Sequence, residues 1–151
     1  MINIRRAEPI DILQIVDFQI KMAAETEDLH LNRKTVTKGV THIFDQNKKG
    51  YYLVGESDKK IIASILILYE WSDWRNGNVI WLHSVYVKPE FRGSGVFRTM
   101  YNHIKQTVIK DDSIMGIRLY VDKNNKDAQL VYRKLGMNEE HYRTFEWMKN
   151  F

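Results

Sequence analysis

The sequence has no cysteine, which excludes a disulfide framework, a thiolate metal site and a cysteine nucleophile. Its two prolines and eight glycines in 151 residues mark no Pro-rich or Gly/Ser-rich linker, so the chain reads as one domain, residues 1–151. Long apolar runs are missing. The longest, residues 61–69, is half the length a bilayer requires and is interrupted by Ser64. The first residues, Met-Ile-Asn-Ile-Arg-Arg, lack the apolar core of a secretory leader. A cytoplasmic protein without a membrane partner is therefore expected. Charge of one sign is not in large excess either. The 23 Lys and Arg against 19 Asp and Glu leave a formal net charge of +4, and the two signs are interleaved along the chain. Nucleic-acid binding needs basic residues clustered on one element, so no such partner is expected. What is present is an ordinary globular balance, 44% hydrophobic and 28% charged residues, in a chain long enough to bury a core without a staple.

Period and punctuation divide the chain into elements. Residues 2–6 alternate apolar and polar, as an edge strand does. Pro9 can start a helix, whose stripe Ile12, Leu13, Ile15, Val16 and Ile20 runs to about Ala24. An acidic connection, residues 25–28, follows. Asn32 can cap a second helix carrying Val36, Val40, Ile43 and Phe44. Residues 51–56 and 60–70 then read as a hairpin, the second strand apolar enough to be buried on both faces. A turn-rich loop at 71–78 leads to a strand at 79–88, which Pro89 stops. A helix after Gly95, a strand at 117–121, a helix capped by Asn125 and stopped at Gly136, and a strand at 141–148 complete the order. The expectation is an α/β fold, β-α-α-β-β-β-α-β-α-β, with a mixed sheet.

The most informative segment is Val85-Tyr86-Val87-Lys88-Pro89-Glu90-Phe91-Arg92-Gly93-Ser94-Gly95-Val96-Phe97. A strand ends and a glycine-containing turn opens directly into an amphipathic helix. Free backbone amides and the helix dipole together suit an anion such as a pyrophosphate. The same glycines could instead serve only a tight turn. A Walker loop is excluded, because no Gly-Lys-Ser/Thr follows, and the loop comes too late for a dinucleotide-binding βαβ unit.

Strand, Val-x-Pro-x-x-Arg-Gly-x-Gly, helix resembles the acetyl-coenzyme A signature of the GNAT N-acetyltransferase superfamily. The segment Asn125-x-x-Ala128-x-x-x-Tyr132-x-x-Leu135-Gly136-Met137 resembles the family's second motif, and the element order matches along the whole chain. The resemblance implies a GNAT-like fold with acetyl-CoA as cosubstrate and no metal. Backbone groups of Val85 and Val87 would pair with the pantetheine arm. Amides from Arg92 through Gly93, Ser94, Gly95 and Val96 to Phe97 would hold the pyrophosphate. Asn125 would bond the pantetheine or the reacting end, and Tyr132 would stand near the thioester sulfur. Phe97 departs from the family pattern, which has a small residue there. It either crowds the phosphates or joins the stripe of Met100, Tyr101 and Ile104, and the stripe favours the second.

Transfer of an acetyl group to an amine needs a neutral amine and a protonated leaving thiolate. Free alkylamines and thiols have pKa values of about 10.4 and 8.5, so a base must act near neutral pH. Tyr132 is the expected acid. His83 and Glu70 are rival bases, His83 because its ordinary pKa suits proton acceptance. In the family, the helix connection and the loop after the third strand border the acceptor cleft. Here these carry Glu25, Glu27, Trp71, Asp73 and Trp74, carboxylates and cation–π faces for a cationic amine. Residues 69–95 also resemble spermidine/spermine acetyltransferases, which have Glu-Asp where this chain has His83-Ser84. That departure removes two carboxylates and leaves the acceptor open among small cationic and peptide-like amines. With no cysteine available, direct attack in a ternary complex is expected. A non-catalytic acyl-CoA sensor on the same fold is the rival reading. The aromatic last strand, His141 to Trp147, could pair across a homodimer.

Overall fold

The computed structural model describes residues 1–46 and 48–149. Backbone contacts divide the chain into two compact units, one ending at Tyr120 and one beginning at Val121.

The first unit is a five-stranded mixed sheet with helices on both faces. Its strands are β1 (Asn3–Arg6), β2 (Gly50–Ser57), β3 (Lys60–Ser72), β4 (Gly77–Val87) and β5 (Ile114–Arg118), in the spatial order β1-β2-β3-β4-β5. The first four are antiparallel neighbours, and β5 lies parallel to β4. A 3-10 turn at Pro9–Asp11 leads into α1 (Ile12–Glu27), followed by α2 (Arg33–Asp45), and α3 (Val96–Lys110) connects β4 to β5. This parallel pair requires a crossover, which the long helix supplies.

Local chemistry fixes most boundaries. Asn32 Oδ1 accepts the Thr35 amide at 3.0 Å and caps α2. The Arg5 guanidinium holds buried Asp11 at 2.7 Å, while Asp11 also accepts the Glu8 amide, so the turn before α1 is tied to the sheet edge. Burial alone would push the Asp11 carboxyl up, but those hydrogen bonds hold it below its ordinary value. Gly50, where β2 begins, passes so close to β3 that a Cβ would lie 2.0 Å from the Ile67 carbonyl oxygen.

Ile15, Val16, Val40, Tyr52 and Val54 form a buried cluster between α1, α2 and β2, with Leu66 of β3 packed against it. Directly opposed residues share a face, so Leu66, Leu68 and Glu70 of β3 and His83 and Trp81 of β4 all belong to the α1–α2 side. On the other side, a Cβ at Gly55 would lie 3.4 Å from Met100 of α3. Residues 62–65 are consecutively buried, because helices cover both faces there, whereas residues 69–71 at the far end of β3 are exposed.

Four expectations are corrected. The first helix does not stop at Ala24. It continues to Glu27 and closes at Asp28 in the left-handed conformation, φ 51°, so Glu25 and Glu27 are helical. Trp71 belongs to β3, because the ladder with β4 runs to Ser72↔Gly77. The strand expected at 117–121 lies at Ile114–Arg118, since its register is set by pairing with β4 from Asn78 onward. The strand expected at 141–148 is not formed. The segment is rich in the aromatic residues of a strand but enters no ladder, and Phe145 and Trp147 are 93% and 86% exposed.

In the second unit Asn125 Oδ1 accepts the Ala128 amide at 3.1 Å and caps α4 (Lys126–Lys134). Gly136 follows the helix at φ 85°, the left-handed stop that its position predicts. Among the described residues, no helix is long and apolar enough to cross a membrane.

Candidate active site

The cleft originates in a defect of β4. Ser64 faces Tyr86 and Leu66 faces His83, so two steps along β3 oppose three along β4. The extra residue is a bulge at Ser84, whose φ of 50° is left-handed. Such a conformation costs a non-glycine residue about 1 kcal/mol. On the opposite edge of β4, the parallel ladder with β5 ends at Trp81↔Arg118. Beyond that pair, the edge of β4 has no strand neighbour among the described residues. Val85 and Val87 lie on this open stretch.

The loop after β4 is shaped for an anion. Gly93 and Gly95 have φ of 75° and 86°, and nothing lies within 4 Å of a Cβ at either, so backbone conformation rather than crowding calls for glycine. Gly95 is the N-cap of α3, and no side chain caps that helix. The 15-residue helix thus presents its amino end to the loop. The Ser94 hydroxyl donates to the Phe91 carbonyl at 2.6 Å, which leaves its backbone rather than its side chain for a ligand. Val96 is buried, and half-buried Phe97 packs along the helix on Tyr101, ring centroids 6.2 Å apart. Its ring follows the apolar stripe. The residues present fit a pyrophosphate.

Arg92 is braced from three sides. Its Nε donates to the Val87 carbonyl at 2.8 Å, its guanidinium donates to Glu25 at 2.7 Å, and it lies 5.4 Å from the Tyr86 ring centre. The structure thus places Glu25, expected on the acceptor side, in an ion pair with Arg92 of this loop. The Tyr86 hydroxyl also reaches Glu25, at 3.4 Å.

On the α1–α2 side, Leu68, Tyr69, Glu70, Trp81, His83 and Tyr120 line a cavity of about 340 Å³. The His83 and Tyr120 rings meet edge to face at 5.2 Å, and Trp81 lies 6.0 Å from His83 and 5.6 Å from Tyr120. Burial lowers the His83 pKa below 6.5, so the imidazole is neutral at pH 7 and able to accept a proton. Glu70 is committed elsewhere. One oxygen accepts Trp81 Nε1–H at 2.9 Å and the other accepts from Arg118 at 2.8 Å. Of the two expected bases, His83 is half-buried beside two aromatic rings, whereas Glu70 is hydrogen-bonded on both oxygens.

Trp71 and Trp74 are 61% and 88% exposed, and neither they nor Asp73 line the cavity. Asp73 turns back onto the Trp74 amide at 2.9 Å. Glu27 is exposed on the last turn of α1. In the second unit, burial raises the Tyr132 phenol above its ordinary 10.0. The Asn125 side-chain oxygen is engaged by its own helix cap.

Sequence reasoning missed Trp81 and Tyr120, which line the cavity, and Arg118, which pairs with Glu70. The usable signal was Trp-x-His on β4, a spacing that puts both side chains on one face, with Arg118 opposite Trp81 at the end of β5 and Tyr120 two residues beyond it.

The sequence profile of the Acetyltransferase (GNAT) family matches residues 17–137. A stretch of 79 residues is 32% identical to "Thialysine N-epsilon-acetyltransferase" of Bos taurus, a match that covers 52% of this chain and 45% of that protein. Among solved structures, "a possible acetyltransferase from Clostridium difficile 630" is 41% identical, with a TM-score of 0.92 over 100% of this chain and 99% of that one. A "predicted acetyltransferase with acetyl-CoA from Clostridium acetobutylicum" shares the fold at 23% identity and a TM-score of 0.74, over 100% and 96% of the two chains. The profile spans both compact units and both motifs, and the chain belongs to the GNAT acetyltransferase family, a family of acyltransferases.

Proposed function

We propose that this protein is an N-acetyltransferase that moves an acetyl group from acetyl-CoA to a primary amine of a small cationic or peptide-like acceptor, by direct attack in a ternary complex. The observation that carries the reading is the bulged, splayed end of β4. It sets neutral His83 beside an aromatic cavity and leads into an uncapped helix behind two left-handed glycines. The similarity to an acetyltransferase of an amino acid side chain supports an amine acceptor.

In this reading the loop amides of residues 92–97 and the amino end of α3 hold the pyrophosphate, and the open edge around Val85 receives the pantetheine arm. Acetyl-CoA supplies an activated thioester. His83 accepts the proton of the incoming ammonium, which frees the nitrogen lone pair. Tyr132, kept protonated by burial, gives its proton to the departing sulfur. Glu70 holds the Trp81 indole and Arg118 in place. Both compact units serve one transferase domain, and the protein works in the cytoplasm, without metal or nucleic acid. The exposed aromatic segment from His141 to Trp147 meets a second copy to make a homodimer.

A thermal melt tests the cosubstrate first. Acetyl-CoA at about a hundred times its dissociation constant adds roughly 2.7 kcal/mol of stability, several degrees for a chain of this size. ATP and NAD at the same concentration leave the midpoint unchanged. Tyr132→Phe then lowers kcat on an amine panel and leaves the acetyl-CoA-induced shift intact. Equal loss of turnover and cosubstrate binding would remove Tyr132 from its role. Binding without turnover across a broad amine panel would favour the sensor.

A further inference from the structure

The proposed base lacks the support that a catalytic imidazole usually has. Such a ring is commonly oriented by a carboxylate or a backbone carbonyl on one of its nitrogens. At His83, burial is what lowers the pKa, with no contribution from a hydrogen bond or a neighbouring charge among the described residues. The other ionisable groups of the cavity wall are Tyr69, Glu70 and Tyr120, and Glu70 is paired with Arg118. Leu66 faces His83 from β3, and Glu25 of α1 is paired with Arg92.

Two rings meet the imidazole instead. Trp81 lies nearly parallel to it, 29° at 6.0 Å, and Tyr120 stands almost at right angles, 82° at 5.2 Å. The two are not equivalent. Trp81 is placed by the ladder with β5 and by its bond to Glu70. Tyr120 lies two residues past the last pair of that ladder, Trp81↔Arg118, where β4 and β5 have parted. It is 59% exposed, so burial does not hold it there, yet its ring meets both Trp81 and His83. Edge-to-face contact is a preferred arrangement of aromatic pairs. The ring of Tyr120 thus spans the opening between the two strands.

From this arrangement we infer that Tyr120 is a positioning residue for His83. Its ring, set edge to face across the parted strands, holds the imidazole in one orientation in the cavity wall and keeps water from one side of it. The inference rests on His83 as the base and adds what aims it. The ring makes the contact, so phenylalanine can replace tyrosine and alanine cannot.

The test follows the titration of His83 by NMR of the histidine ring protons, with His83→Gln identifying its signal among the five histidines. Rates with acetyl-CoA and an amine panel are measured beside it. In the wild type the His83 midpoint lies below 6.5. Tyr120→Ala is expected to raise it toward 6.5, because water then reaches the ring. The same variant lowers kcat at least about tenfold and leaves the KM for acetyl-CoA unchanged. Tyr120→Phe restores both the midpoint and the rate. The melting temperature reports that each variant is folded. A midpoint unmoved in folded Tyr120→Ala overturns the inference, and so does a Tyr120→Phe protein that behaves like Tyr120→Ala. The titration needs no turnover, so it decides the inference even where no amine is acetylated. A midpoint that moves while kcat stays constant would sustain the clamp and remove His83 from the role of base.

Discussion

His83 couples proton chemistry to stability. Burial depresses its pKa, so between the folded value and the unfolded value near 6.5 the folded protein binds fewer protons than the unfolded chain. Stability contributed by the neutral ring is complete above about 6.5 and is lost as pH falls through that window. With His83 as the proposed base, the same shift sets the activity profile. The acidic limb of kcat/KM has an apparent pKa below 6.5, and His83→Gln abolishes that limb and lowers kcat by about 10²-fold or more. A profile unchanged in the variant would assign the base elsewhere. Ser84 makes a second residue-scale prediction. Its left-handed backbone is relieved by glycine and aggravated by β-branching, so Ser84→Gly gains about 1 kcal/mol and Ser84→Val loses at least as much in denaturant unfolding. Neither feature was legible in the sequence. A bulge is a mismatch between two strands, and nothing within residues 79–88 shows how many residues of β3 they oppose. The caps Asn32 and Asn125 were legible because each acts three residues along its own chain. Asn125 also shows the limit of that reading, since one side-chain oxygen serves the helix that the motif would have it share with a ligand.

Among the elements, α1 matters most for its last turn. The sequence suggests a helix ending near Ala24 because the apolar stripe ends there, but Thr26 bonds back to Met22 and the helix runs on to Glu27. That extra turn carries Glu25 to Arg92. The pair is 38% and 47% exposed, so it contributes under about 1 kcal/mol to stability. Its effect falls on the loop it braces. Glu25→Gln is expected to raise the KM for acetyl-CoA about three- to tenfold, roughly 0.7–1.4 kcal/mol, with the melting temperature of the free protein nearly unchanged. A rise confined to the amine KM would return Glu25 to the acceptor side. The helix between β4 and β5 was legible in the sequence. The register of the two strands was not, and register is what sets Arg118 opposite Trp81.

For the whole molecule, the open question is what covers its C-terminal aromatics. Tyr142, Phe145 and Trp147 are 74%, 93% and 86% exposed, an uncommon outlay of apolar surface for a monomer. The proposed homodimer predicts a solution mass twice that of the chain, and a chain ending at residue 140 should run as a monomer. A monomeric mass for the full chain would remove the dimer. The aromatic content that suggested a strand at 141–148 is real, but a strand exists only with a neighbour, and no residue pattern names the molecule that provides it.

The contact between Trp81 and His83 makes the site optically self-reporting. Excited indole is quenched by a protonated imidazole far more than by a neutral one, and these two rings lie 6.0 Å apart. Trp71, Trp74 and Trp147 are largely exposed and emit as solvated indoles, whereas Trp81 is half-buried and emits to the blue of them. The blue edge of the emission band therefore titrates His83 in the unmodified protein, and its dimming midpoint marks the pH at which the imidazole takes up its proton.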